Sequence, residues 1–277
     1  MKQPNRKTAA TLAVNTSLAL MAFIAAAPLL WMVSVSLMPA GQASTYPPPL
    51  LPTDPTLVHY RALLSTGGIA RQFANSLGLA CAATLISTLL NTLAGYAFAK
   101  LRFRGREQIF QALIAALVIP GQVAMLPLFL LLKNMGLVNT YAGVLLPALA
   151  SIFGIFLVRQ YARGIPDELL EAARMDGAGE FKVFFAIVLP LLKPVLVTLA
   201  VFAFLGSWND FMWPLIVLTD GDLQTLPVVL SSLSREHVQD NELMMAGAVV
   251  TVLPVLLLFL ALQRHYMQGL MMGGVKA

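Results

Sequence analysis

The sequence predicts an all-α, polytopic membrane protein with six transmembrane helices. Hydrophobic residues fill 58% of its 277 positions and charged residues only 11%, with a mean hydropathy of +0.78. A soluble domain carries about a quarter charged residues. The apolar residues gather in long runs, and a helix needs about 20 of them to cross the hydrocarbon core. The charges fall between those runs, with Asp210 as the one carboxylate inside a run.

Six runs meet the length criterion: 11–37, 74–99, 108–132, 141–158, 194–218 and 246–263. The first follows a basic start (Lys2, Arg6, Lys7), and Ala40-Gly-Gln-Ala43 resembles a weak cleavage site. Its length exceeds the 7–15 residues of a signal-peptide core, so it reads as a retained helix. The second holds the only cysteine, Cys81, which has no intrachain partner and reads as a packing residue. Pro28, Pro120, Pro127, Pro147 and Pro254 interrupt several runs. Such breaks are tolerated where neighbouring helices or water satisfy the freed backbone groups. The expected organisation is a segment 1–71 with the N-terminal tail, first helix and external loop; a five-helix core over 72–265; and a C-terminal tail, 266–277.

Six spans place both termini on one side. Fourteen of the 18 basic residues fall on that side, and only Arg61, Arg71, Lys133 and Arg235 on the other. The positive-inside rule then makes the termini cytoplasmic. The net charge of +5 is accordingly a topology signal, with no nucleic-acid partner implied. The external loops include Tyr46-Pro47-Pro48-Pro49 and the stretch 219–245, either of which is a surface for an extracytoplasmic binding protein or a plain spacer.

On this topology 159–193 is the longest cytoplasmic loop. Pro166, Asp167 and Glu168 suit a helix start. Leu169, Leu170 and Ala173 share a face, and Gly177 suits a left-handed cap. A second short helix is expected from Glu180 into Ile187, with Pro190 and Pro194 resetting the chain. Phe181, Phe184 and Phe185 put aromatic bulk where water should be. Three physical readings stay open: a helix in the lipid interface, one packed on its own bundle, or a knob for a groove on another protein.

The pattern Glu171-Ala172-Ala173, Gly177, Ile187 and Leu189-Pro190 resembles the EAA loop of binding-protein-dependent ABC importers. Asp176-Gly177-Ala178, Asn75-Ser76, Tyr96-Ala97-Phe98-Ala99-Lys100, Trp208-Asn209-Asp210-Phe211 and the tail from Gln263 to Lys276 extend the resemblance to carbohydrate-importing permeases. It covers roughly residues 72–276. The resemblance implies the type I ABC importer permease fold in an inner membrane. It further implies that 159–193 docks a cytoplasmic ATPase through Glu171, Ala172, Ala173, Asp176, Gly177, Phe181 and Phe184. Implied partners are two copies of that ATPase, a second and different permease, and a sugar-binding protein.

The chain contains no GxxxxGK[ST] sequence, so ATP would be bound by a partner and no cofactor is expected here. His59, His237 and His265 are scattered over three loops, without metal-ligand spacing. A catalytic role is not expected. In the fifth run, Phe204, Trp208 and Phe211 would share one helical face, with Asn209 and Trp213 on another. Trp208, Asn209, Asp210 and Phe211 are thus candidates for the substrate path, since aromatic faces beside polar groups suit sugar rings. Interface anchoring by the tryptophans and a structural role for Asp210 compete with that reading. The alternative function is a self-sufficient ion-coupled carrier using Asp210. Such carriers show internal repeats and several intramembrane polar sites, neither of which is found.

Overall fold

The structure is a computed structural model that describes residues 6–66, 69–236 and 240–274. Lys2, His237, Val275 and Lys276 lie outside the described residues. Among those described, regular structure is entirely helical. In chain order the helices are α1 (Arg6–Ser36), α2 (Val58–Thr66), α3 (Ile69–Lys100), α4 (Arg106–Ala116), α5 (Gly121–Asn134), α6 (Tyr141–Leu145) and α7 (Ile152–Arg163). There follow α8 (Asp167–Met175), α9 (Glu180–Val183), α10 (Leu189–Leu191), α11 (Lys193–Trp208), α12 (Met212–Val217), α13 (Leu226–Glu236) and α14 (Asn241–Gly274).

Among the described residues, three helical stretches are long and apolar enough to cross a membrane unaided: Ala10–Ser36, Ile69–Lys100 and Asn241–Gln263. Three further pairs reach that length only when a bend is counted in. The bend is 105° between α4 and α5, 41° between Tyr141–Ala148 and α7, and 81° between Glu180–Leu191 and α11. The expected third and fourth spans are therefore broken. Pro120 sits in extended conformation just ahead of α5, and Ser151 does the same ahead of α7. Each caps a new helix instead of continuing the old one. Ser151 Oγ accepts from Gly154 N at 3.2 Å, replacing a bond that the helix start lacks.

The fifth run is not one helix either. It stops at Trp208 and resumes as α12 after Asn209–Phe211. Asn209 Nδ2 turns back onto Leu205 O at 3.0 Å, and Asp210 Oδ1 accepts from Trp213 N at 3.4 Å. Short polar side chains compete for backbone groups in this way. Pro214 then has no N–H to bond back across the break. Phe211 consequently does not share a helical face with Phe204 and Trp208.

The described chain forms two compact units. One joins the chain before Ile69 to Leu230–Leu253; the other joins Ile69–Val229 to the chain after Leu253. In the first, buried Glu242 accepts from Ala43 N through Oε1 at 2.8 Å, and His59 Nε2 lies 3.0 Å from Met38 O. The first bond ties the loop after α1 to the start of α14, and the second ties that loop to α2. The N-terminal segment is thus packed with a stretch that the sequence reading left in the core.

In the second unit α3 packs along α7 and α11. One cluster gathers Tyr96, Val158, Ala162, Leu170, Phe184, Val195 and their neighbours. Another gathers Leu79, Leu132, Val144, Trp213 and Val217. Asn91, fully buried in α3, donates through Nδ2 to Ser87 Oγ at 2.7 Å and accepts from Ser151 N at 2.9 Å. It thereby supplies a partner to a backbone donor at the break before α7, as a buried N–H requires.

Candidate functional site

The segment between α7 and α11 folds as a two-helix projection. Pro166 holds an extended backbone ahead of α8, whose first turn carries Asp167 and Glu168 and whose last carries Arg174, matching the helix dipole. The helix ends as a Schellman motif. Ala178 N donates to Ala173 O and Gly177 N to Arg174 O, both at 3.0 Å, with Gly177 at φ 81°. Arg174 then clasps Glu180 with two bonds, Nε to Oε1 at 2.7 Å and Nη2 to Oε2 at 3.2 Å. Tyr96 donates to the same Oε2 at 3.4 Å. The angle between the two helices is set by these contacts as well as by the glycine.

The second helix departs from expectation. After α9 the chain widens into a π-turn, Phe184–Val188, and runs on through α10. Pro190 does not end it; the chain turns at Leu192, where the 81° bend falls. Phe184 was expected to face a partner but is 2% exposed, packed on Tyr96 with ring centroids 5.3 Å apart. It belongs to the chain's own core with Leu170, Val183 and Val188. The outward apolar groups are Phe181 at 79% exposure, Met175 at 83% and, less so, Phe185 and Leu169. Glu171, Ala172, Asp176 and Gly177 are exposed, and Ala173 is half-buried. The projection therefore packs on its own bundle with one face and presents apolar side chains with the other.

Two cations anchor its base. Buried Arg159 donates to Phe98 O at 3.2 Å and to Glu107 at 2.8 Å, with its guanidinium carbon 3.7 Å from the Phe110 ring centre. A buried charge is tolerated when paired in this way. Lys100 bonds both Ile165 O and, at 2.6 Å, Asp167 Oδ1. The hydrogen bond and charge of Lys100 hold the exposed Asp167 carboxyl below the usual carboxylate range. A depressed folded-state value means that the tie is present at neutral pH and is lost only as pH falls through that lowered value. Protease nicking of 164–180 in membranes should therefore be unchanged from pH 7 to about 5, with Asp167→Asn more readily cut than wild type throughout. Equal cutting of the two at pH 7 would show that the tie does not hold the projection.

A cavity of about 450 Å³ opens between α3, the α6–α7 break and α11. Ser87, Ser151, Phe153, Phe202, Ser207 and Asp210 are among its lining residues. Of the four residues expected in the substrate path, only Asp210 lines it. Trp208 is 1% exposed, stacked on Phe204 and edge-on to Phe73, a core position. Asn209 is exposed and bonded to its own helix, and Phe211 is half-buried. Sequence reading passed over the three serines and Asn91. The sequence signal for them was Asn91, an amide deep in an apolar run and four residues from Ser87.

Taken together, these features define a class: a multi-span helical membrane protein with a cavity between its helices and an apolar-tipped projection. The chain belongs to the family of binding-protein-dependent transport system inner membrane components, whose model matches residues 91–271. It is thus a non-catalytic, multi-pass ABC permease subunit, and membership implies an ATPase and a binding protein as partners. It is 38% identical to the arabinooligosaccharides transport system permease protein of Halalkalibacterium halodurans, over 98% of this chain and 99% of the relative. It is also 38% identical to the lactose transport system permease protein of Rhizobium radiobacter, over 74% of each. Its fold matches, with a TM-score of 0.82, a chain in the crystal structure of a bacterial ABC transporter involved in alginate import, at 23% identity and covering 96% of this chain and 100% of that one. The ion-coupled alternative is set aside by this membership.

Proposed function

We propose that this permease subunit carries a mono- or oligosaccharide inward across the cytoplasmic membrane, with both termini cytoplasmic. It works beside a second, different permease, two copies of the ATPase and a sugar-binding protein. The substrate class is supported by relatives named for arabinooligosaccharides and lactose. Orientation is supported by the distribution of basic residues. The path is read along the cavity that Asp210 lines.

The observation that carries the coupling role is the outward pair Met175 and Phe181, held on a clasped, glycine-capped projection and framed by exposed Glu171 and Asp176. Amphipathic helices dock into grooves by such apolar anchors. Movement of the ATPase pair would then be passed through Leu170, Val183 and Phe184 into α3, α7 and α11, as a rigid-body switch. Exposed Glu171 can be altered without disturbing the clasp. Glu171→Lys should lower ATP-driven uptake by about tenfold or more, since like-charge or mispaired contacts oppose docking, while membrane insertion stays normal. Uptake at the wild-type rate would overturn the docking role.

A further inference from the structure

The polar groups of the cavity divide into committed and uncommitted atoms. Asn91 Oδ1 accepts from the Ser151 backbone N–H, which fixes the amide so that Nδ2 points to Ser87 Oγ. Ser87 Oγ therefore already accepts, and its O–H proton is left to donate. Ser151 is in the same position: its Oγ accepts from Gly154 N, and its proton is uncommitted. Asp210 contributes the opposite character. Its Oδ1 receives one long bond from Trp213 N, and Oδ2 meets no donor among the described residues. Phe153 and Phe202, edge-to-face at 5.9 Å, provide an apolar wall. Among the described residues the lining contains no lysine, arginine or histidine; Asp210 is its one ionisable group.

We propose that this cavity is a charge-selective saccharide subsite, in which Asp210 accepts from sugar hydroxyls, Ser87 and Ser151 donate to them, and uronate-bearing sugars are rejected. Sugar hydroxyls both donate and accept, so they satisfy a site in which one anionic acceptor stands beside the uncommitted donors of Ser87 and Ser151. A substrate carboxylate would meet a like charge with no cation to offset it, and juxtaposed like charges suppress the wrong ligand. The fold match to the alginate-importer chain does not bear on this, because charge selection lies in side chains. The inference rests on the sugar-path reading above.

The test uses the full chain with its partner subunits in membranes. Cys81→Ser removes the native thiol, and Ala203→Cys or Ala150→Cys places a reporter on either of two cavity walls. Each is reacted with a cationic trimethylammonium-ethyl and an anionic sulfonatoethyl methanethiosulfonate. The cationic reagent should react about tenfold faster, relative to its ratio with a free thiol, because a charged cleft concentrates its counter-ion. Asp210→Asn should abolish that preference. Arabinotriose should slow modification and trigalacturonate should not, until Asp210 is made Asn. Absence of a charge preference, or one that survives Asp210→Asn, overturns the filter, as does failure of both reporters to react. Equal protection by the two sugars overturns the filter while sparing the sugar path. Protection by neither would sink the sugar path itself.

Discussion

Replacing Gly177 with valine should strip the ATPase from the purified complex and abolish ATP-driven uptake, while the permease still inserts. Gly177 stands at φ 81°, and a Cβ there would meet nothing within 4 Å. The penalty therefore comes from the backbone alone, about 1–3 kcal/mol for a residue forced into that region. Because 1.4 kcal/mol is a factor of about ten in population, the Schellman turn would be largely lost. The Phe181 side of the projection would then no longer be held against the Glu171 side. The asparagine variant is the informative companion, since that residue tolerates the left-handed region: Gly177→Asn should retain most uptake. Gly177→Pro should be at least as severe as valine, because proline also deletes the N–H that bonds Arg174 O at 3.0 Å. ATPase co-purification and uptake that survive in the valine variant would mean that the turn is not required for docking.

Gly95→Ala should destabilise the whole subunit, and Gly95→Leu should prevent its accumulation. A Cβ at Gly95 would lie 2.6 Å from Val158 Cβ and 3.0 Å from Arg159 N. Val158 is fully buried, and the neighbouring backbone is pinned because Arg159 is tied to Phe98 O and Glu107. Neither neighbour can yield cheaply, so overpacking costs about 1–3 kcal/mol. Alanine's helix propensity gains at most about 1 kcal/mol over glycine, so the clash wins. Gly78, on the same helix, has open space where its Cβ would go. Gly78→Ala should leave the melting temperature in detergent equal or raised, and Gly95→Ala should lower it. Equal melting of the two would show that α3 and α7 can separate without loss.

Much of the two-helix projection was legible from one-dimensional chemistry. Pro166 with Asp167 and Glu168 marks a helix start, and Gly177 its end, because capping depends on residues adjacent in the chain. Phe184 was misjudged for the same reason that it could not be read: which of three neighbouring phenylalanines faces inward depends on Tyr96, 88 residues away in sequence. The π-turn beginning at Phe184 shifts the register of everything after it, and no local signal announced it. In the fifth run, periodicity assumed a continuous helix. The bonds of Asn209 to Leu205 O and of Trp213 N to Asp210, with Pro214, ended it, moving Phe211 off the face and leaving Trp208 in the core.

Hydropathy and cap chemistry were enough for the class of the molecule: helical and multi-span, with a projection between its fourth and fifth apolar runs. Hydropathy and cap chemistry are properties of contiguous residues, and they survive without knowledge of the fold. The tertiary structure alone decided which spans are broken, which aromatics are core and which are presented, and that Ser87, Ser151 and Asp210 face one cavity. Those outcomes depend on bonds between residues distant in the chain, such as Asn91 to Ser151 and Lys100 to Asp167. Only folding brings such residues within hydrogen-bond reach.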